Sequence, residues 1–400
     1  MMTRKWRIAS EEELLKGKTT DVYFDRTVKI LEKENLNPIV HAEFTVSGMP
    51  KGLEWGVFAG VDDALKLLEG KQVDVYGLPE GTVFQPRSEK GVKTPVLMIE
   101  GPYSEFAVFE TPILGFICHT SGMVTKTAYI RISAGDKPLL SFGARRTHPA
   151  ITPQVEYAAY IGGCDGVSCV LGAELLEMEA TGTMPHALII AFQDHVKAWK
   201  AYDRHVEKGV PRIALTDTYM DEVVESILAA ETIDNLTGVR LDTPSSRKGN
   251  FARILQEVRW ELNQRGFNDV KIFVSGGLNT ETVLELREAG ADGFGVGGAI
   301  SNAPAIDFAM DIVAIQKDAK WIPCAKRGKF SGRKSVWRCP NCLTIDTLSL
   351  NAPPPICNEC QKKNEKITTQ LMEKGEILRE PKSPKVIRDY VLEQIRRFQK

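Results

Sequence analysis

KIFVSGG (271–277) and GFGVGG (293–298) decide the fold. Each is a short apolar run that breaks into glycine and leads into a helical pattern. Between them, 280–289 sets Val283, Leu286 and Ala289 on one face, as an amphipathic helix requires. Strand, glycine turn and helix together form the βα unit of a parallel sheet. The unit repeats upstream, with β-like segments at 139–142, 166–170, 180–184, 213–216 and 238–241 and helical ones at 153–161, 221–230 and 251–265. Seven such strands with short loops favour an α/β barrel over an open sheet, although periodicity alone cannot close it. In a barrel, chemistry sits where strands end. There the chain places Gly143 to Arg146, Asp217 and Thr218, Asp242 and Thr243, Ser275 to Gly277, and Gly297 and Gly298.

The barrel pattern occupies 116–317. Before it, 1–115 reads as a mixed α/β domain: Ser10 and Glu13 make a capping box, 21–34 is helical, and 40–46, 73–76 and 96–99 are strand-like between Gly and Pro turns. After it, 318–366 is a basic linker followed by a module with two CxxC pairs. A helical tail, 367–400, ends in an amphipathic helix at 384–398 whose expected buried points are Val386, Tyr390, Ile395 and Phe398, suited to packing on another domain such as the N-terminal one.

Composition limits the partners. With 43% apolar and 26% charged residues, the 400-residue chain is globular and long enough for two or three domains. Lys plus Arg is 51 against 52 for Asp plus Glu, so no dominant basic surface advertises a nucleic acid. No run of about 18 apolar residues occurs, and the charged start through Lys18 lacks a leader pattern. The expectation is a cytoplasmic protein with no membrane partner.

Several motifs carry chemistry. Cys339-x2-Cys342 and Cys357-x2-Cys360 can present four thiolates to one Zn²⁺, and a closed four-sulfur shell makes that ion structural, not catalytic. Nucleic-acid contact is a lesser reading of such a module. Ser275-Gly276-Gly277 and Gly297-Gly298 let backbone N–H groups approach an oxyanion, or are simply tight βα turns. Asp217 and Asp242, in LTDT and RLDT, can bind ribose hydroxyls or Mg²⁺ on a phosphate, or cap helices. Phe142 beside Arg145 and Arg146 suits a planar anion; surface arginines are the alternative. In GTMPH (182–186), Pro185 can open a helix that continues through Leu188, Phe192, Val196 and Trp199. His186 then stands in the first turn, where a phosphate on its ring meets the positive helix end, or it is a structural histidine.

Taken together, TDVYF (20–24), the 109–131 stretch, FGARR (142–146), GTMPHA (182–187), VRLDT (239–243), SGG and GVGG resemble the nicotinate phosphoribosyltransferases, and more distantly the nicotinamide and quinolinate enzymes. The resemblance runs in order from about 20 to 340. It implies an N-terminal α/β domain on an incomplete α/β barrel, and transfer of phosphoribosyl from phosphoribosyl pyrophosphate to nicotinate in NAD biosynthesis, coupled to ATP hydrolysis. It implies that His186 is phosphorylated, that Arg145 lies near the substrate phosphates, and that Phe142 stacks on the pyridine. Tyr23 would be the facing ring, supplied by a second subunit of at least a dimer. Arg240 would lie on the base side, Asp242 on the ribose, and the glycines around the 5′-phosphate. The cysteine module is not shared across the family and looks like an appended domain of archaeal-type members. SGG and FGARR resemble the quinolinate branch equally, so GTMPHA is the discriminator for nicotinate. Two other classes stay open: a transfer RNA base-exchange transglycosylase, which also pairs a barrel with a zinc module, and a non-catalytic phosphosugar sensor.

Overall fold

The computed structural model describes residues 4–243 and 246–398, which fall into two units: Lys126–Ala303, and the residues up to Thr125 joined with Pro304–Phe398.

Lys126–Ala303 is a curled, wholly parallel sheet of six strands in the order Gly166–Val167, Leu139–Ser141, Gly293–Val296, Lys271–Ser275, Gly238–Leu241 and Ile213–Leu215. Helices follow the strands as the βα reading requires, including Thr152–Ile161, Glu222–Thr232, Phe251–Gln264 and Thr280–Glu288. Helix Phe251–Gln264 shows why they dock. It buries Phe251, Leu255, Val258 and Leu262, spaced four, three and four residues apart, and each such side chain contributes about 1.5–3 kcal/mol on leaving water. Strand residues Val239, Leu241, Ile272, Val274, Phe294 and Val296 share that core.

One expected strand is absent. Residues 180–184 run irregularly, keeping a single ladder-like bond from Thr181 N–H to Val167 C=O at 2.7 Å. Gly182 contributes no side chain, and Pro185 has no N–H to continue a ladder. The sheet therefore stays open between Gly166–Val167 and Ile213–Leu215, an incomplete barrel. The helix read through 186–199 is also two helices, His186–Phe192 and His195–His205. Gln193 takes a left-handed conformation at φ 53°, and Asp194 caps the second helix by accepting the Lys197 N–H at 3.0 Å. Trp199 still reaches the core, its indole donating to Leu215 C=O at 3.2 Å.

The other unit holds a seven-stranded antiparallel sheet. Within it, Ile39–Gly48 is flanked by Pro95–Pro102, the central strand, and by Asp307–Lys317. That last strand falls in the range read as barrel, but it pairs here because the apolar run has no glycine turn or helix after it. The cysteine module also belongs to this unit: Lys334–Arg338, Ile345–Ser349 and Glu365–Lys366 form a small sheet whose Val336 and Ile345 enter the unit's core. Lys334 makes a buried ion pair with Glu43 at 2.9 Å. The terminal helix is Pro384–Ile395, and it buries Ile387, Val391, Gln394 and Ile395. Gln394 accepts from Val83 N–H and donates to Gly81 C=O, both at 2.9 Å. Val386, read as a buried point, is exposed, because the docked face lies one residue further on; Phe398 instead stacks on Trp55 at 4.9 Å.

The helical run Tyr103–Ala134 is long and apolar enough to cross a membrane by length and composition, but 56% of that window is buried inside the protein. It also carries buried Thr120, Ser121, Thr125, Thr127 and Arg131, which fits a core helix.

The four sulfurs of Cys339, Cys342, Cys357 and Cys360 lie within 4.8 Å of one another, and Asn341 Nδ2 donates to Cys360 Sγ at 3.3 Å. Tetrahedral thiolates about 2.3 Å from an ion need such spacing, so the residues fit a metal. Stripping metal with a strong chelator is expected to lower the melting temperature, and Cys357→Ser to do the same without chelator. Identical melting of treated, untreated and substituted protein would show the cluster holds no structural ion.

Candidate active site

The exits of the parallel strands converge on one cleft of about 590 Å³. It is lined by Phe142, Arg145, Arg146, His186, Arg240, Asp242, Ser275, Gly276, Gly277, Gly297 and Gly298, all expected from sequence, together with Pro185, Leu278, Asn279, Gly295 and Ala299. Asp217 stands just behind this wall, its side chain only 3% exposed.

Asp217 organises the strand ends. Its Oδ2 accepts the Asp242 N–H at 2.8 Å and the Thr243 hydroxyl at 3.4 Å, which ties the exit of Ile213–Leu215 to that of Gly238–Leu241. Its Oδ1 is buried without a hydrogen bond and faces His186 Nε2 at 3.8 Å. Burial pushes the carboxyl up to about 6, and the nearby His186 ring opposes that rise. His186 sits at the first position of its helix with Pro185 as N-cap; its Nδ1 is 3.1 Å from the Thr218 hydroxyl, and Nε2 is also 3.9 Å from Asp242 Oδ2. The ring is thus held from one side and flanked by two carboxylates on the other.

Arg240 and Phe142 form a planar slot. The guanidinium carbon is 5.9 Å from the Phe142 ring centroid, NH2 donates to Met184 C=O at 3.3 Å, and Nε is buried with no acceptor. Burial lowers the Arg240 pKa from its ordinary value, while Asp242 and Asp217 oppose the change. An unsatisfied buried donor costs about 1–3 kcal/mol, which an anionic ligand group in the slot would relieve. Asp242 is held on the other side by the Ser275 hydroxyl at 2.7 Å.

The glycines serve two ends. Gly276 needs its left-handed φ of 87°, and a Cβ there would come within 3.0 Å of Asp242 Oδ1. At Gly295 a Cβ would lie 2.3 Å from the Phe142 ring, so this glycine seats the aromatic. Gly298 has nothing within 3.4 Å of its would-be Cβ and simply leaves the cleft open.

Two groups were not found in the sequence. Lys248 donates to Gly276 C=O, and burial lowers its pKa while Asp242 raises it. Glu225 supports the turn behind His186. A buried acid four residues beyond a helix cap leaves no spacing signature. Tyr23 lies in the other unit, 56% exposed on helix Val22–Lys33, and is not among the cleft residues.

Known proteins resemble this chain in sequence and fold. The Quinolinate phosphoribosyl transferase N-terminal and C-terminal domain families match residues 21–121 and 123–311. A nicotinate phosphoribosyltransferase of Mycobacterium tuberculosis is 30% identical over 290 residues, covering 69% of this chain and 60% of that one, so the chain spans about 60% of that curated relative's length. A crystal structure of a nicotinate-nucleotide pyrophosphorylase from Pyrococcus furiosus is 50% identical with a TM-score of 0.94, covering 99% of both chains. Human nicotinic acid phosphoribosyltransferase, at 18% identity over 95% and 94% of the two chains and a TM-score of 0.73, shares the fold. The open parallel barrel and these matches lead to one conclusion: the chain belongs to the quinolinate phosphoribosyl transferase family.

Proposed function

We propose that the protein transfers a phosphoribosyl group from phosphoribosyl pyrophosphate to nicotinate, giving nicotinate mononucleotide and pyrophosphate for NAD biosynthesis. The observation that carries this reading is the Phe142–Arg240 slot, with a buried unsatisfied guanidinium N–H, opening beside Asp242 and the strand-end glycines. The pyridine lies against Phe142 with its carboxylate on Arg240. Asp242 takes the ribose hydroxyls, Ser275 to Gly277 with Gly297 and Gly298 surround the 5′-phosphate, and Arg145 and Arg146 attract the pyrophosphate. Pyrophosphate departure leaves positive character at the ribose C1′, so positioning the pyridine nitrogen in line and stabilising the leaving group suffice, and no side-chain nucleophile is required. Mg²⁺ would supply charge neutralisation on the pyrophosphate, and Asp242, a carboxylate lining the cleft, would hold it.

ATP coupling acts through His186. A phosphoryl group on the ring would add charge at the helix start, and hydrolysis would drive the substrate-binding groups between two states. Tyr23 completes the aromatic slot from a second subunit, which makes the working form at least a dimer. The cysteine cluster holds Zn²⁺ as a structural ion. We place the enzyme in the cytoplasm, with small molecules as its only substrates. Quinolinate is the second reading, favoured by the matching family description, and nicotinamide the third. Family membership argues against base exchange on transfer RNA.

A radiolabel assay with nicotinate, nicotinamide and quinolinate, each with and without ATP, tests the substrate. Nicotinate turnover stimulated by ATP is expected; turnover of quinolinate alone, with no ATP effect, would replace the reading. His186→Ala is expected to keep slow synthesis and lose the ATP stimulation, whereas unchanged stimulation would remove His186 from the scheme.

Asp217 gives a pH signature. Because its folded pKa is raised, its stability contribution is full below the unfolded value of about 3.9 and lost as pH rises through about 6. Function needs the opposite form, the anion facing His186. The kcat/KM is therefore expected to fall as pH drops through about 6, and Asp217→Asn to be slower and to lack that acid limb. An unchanged limb in the variant would assign it to another group.

A further inference from the structure

Helix Glu222–Thr232 has more acid at its start than capping requires. Asp221 is the N-cap and accepts the Val223 and Val224 N–H groups at 3.0 Å each. Glu225, one turn on, is fully buried at 0% exposure, and its carboxylate reaches back out of the helix. Oε2 accepts the Thr218 N–H at 3.0 Å, and Oε1 accepts the N–H groups of Tyr219 at 2.6 Å and Met220 at 2.8 Å. A buried polar group is costly unless it is hydrogen-bonded, and here three successive backbone donors satisfy the carboxyl oxygens, which in turn hold the turn that supplies them. The neighbouring Ser226 hydroxyl donates to Thr216 Oγ1 at 3.1 Å, so the same helical turn grips the strand exit twice. That exit carries Asp217 and Thr218, two of the three residues that face the His186 ring, Asp242 being the third.

We propose that Glu225 is a positioning residue: by clamping the backbone of Thr218, Tyr219 and Met220, it holds the Thr218 hydroxyl on His186 Nδ1 and turns Asp217 toward Nε2. The imidazole is thereby kept in one rotamer. The proposal deepens the reading of His186 given above and rests on it for its effect on rate, though not for its effect on the ring.

Glu225→Gln separates this role from bulk. The side chain keeps its size and one oxygen, which satisfies the pair of donors from Tyr219 and Met220. Its amide then faces the Thr218 N–H, donor against donor, and Thr218 is released. Thr218→Val removes the hydroxyl and leaves the turn intact; Thr218→Ser restores it. Ring ¹⁵N chemical shifts of His186, assigned by their loss in His186→Ala, and kcat/KM for nicotinate mononucleotide formation with ATP are measured on the full chain. Glu225→Gln and Thr218→Val are expected to move the ring shifts in the same sense and to lower kcat/KM by about tenfold to a hundredfold. Thr218→Ser should remain near wild type, and the double variant should fall within about twofold of the worse single one, because both substitutions break one chain of contacts. Unchanged ring shifts in either Glu225→Gln or Thr218→Val, or losses that multiply in the double variant, would overturn the proposal. Should Glu225→Gln fail to fold, Thr218→Val still decides whether that hydroxyl governs the ring. A wild type that makes no nicotinate mononucleotide would instead refute the enzymatic reading, with the ring shifts still deciding Glu225.

Discussion

A half-satisfied carboxylate behind the cleft is the constraint on which the site depends. Asp217 spends one oxygen on the Asp242 N–H and leaves the other buried and facing His186. In a dry environment such an oxygen demands a proton or a cation opposite it, and the nearest candidate is the imidazole. The backbone bond to Asp242 also sets the relation between two strand exits, so the positions of His186, Asp242 and the Arg240 slot are coupled through one side chain. Disturbing Asp217 would therefore move more than its own charge.

The fold supplies this coupling because the barrel does not close. With residues 180–184 irregular, the sheet ends at Gly166–Val167 and at Ile213–Leu215, and the chain that would have been a seventh strand brings Pro185 and His186 to the mouth of the opening. A closed barrel would have put that segment into a ladder. The missing strand, an error when read from periodicity alone, is thus part of how the histidine reaches the cleft.

Much of this was legible in the sequence, and for physical reasons. Strand, glycine turn and helix repeat with enough regularity that the exits of Lys271–Ser275 and Gly293–Val296 were fixed by residue type, and the cleft residues followed from standing just past those exits. The two CxxC pairs were equally plain, since four sulfurs with that spacing have few other uses. What escaped notice depended on tertiary partners. Asp307–Lys317 looked like the end of the barrel, yet its partner is Ile39–Gly48, more than two hundred residues earlier. Val386 and Ile387 are both apolar, and only the docked surface decides that the second is buried. Glu225 looks like any helical acid until its three backbone donors are seen.

The most direct measurement is a structure of the protein with nicotinate mononucleotide bound. The account expects the pyridine ring stacked on Phe142, its carboxylate on the guanidinium of Arg240, and the 5′-phosphate against the Gly276 and Gly297 turns. A nucleotide seated away from Phe142 and Arg240, with Arg240 Nε still lacking an acceptor, would contradict it.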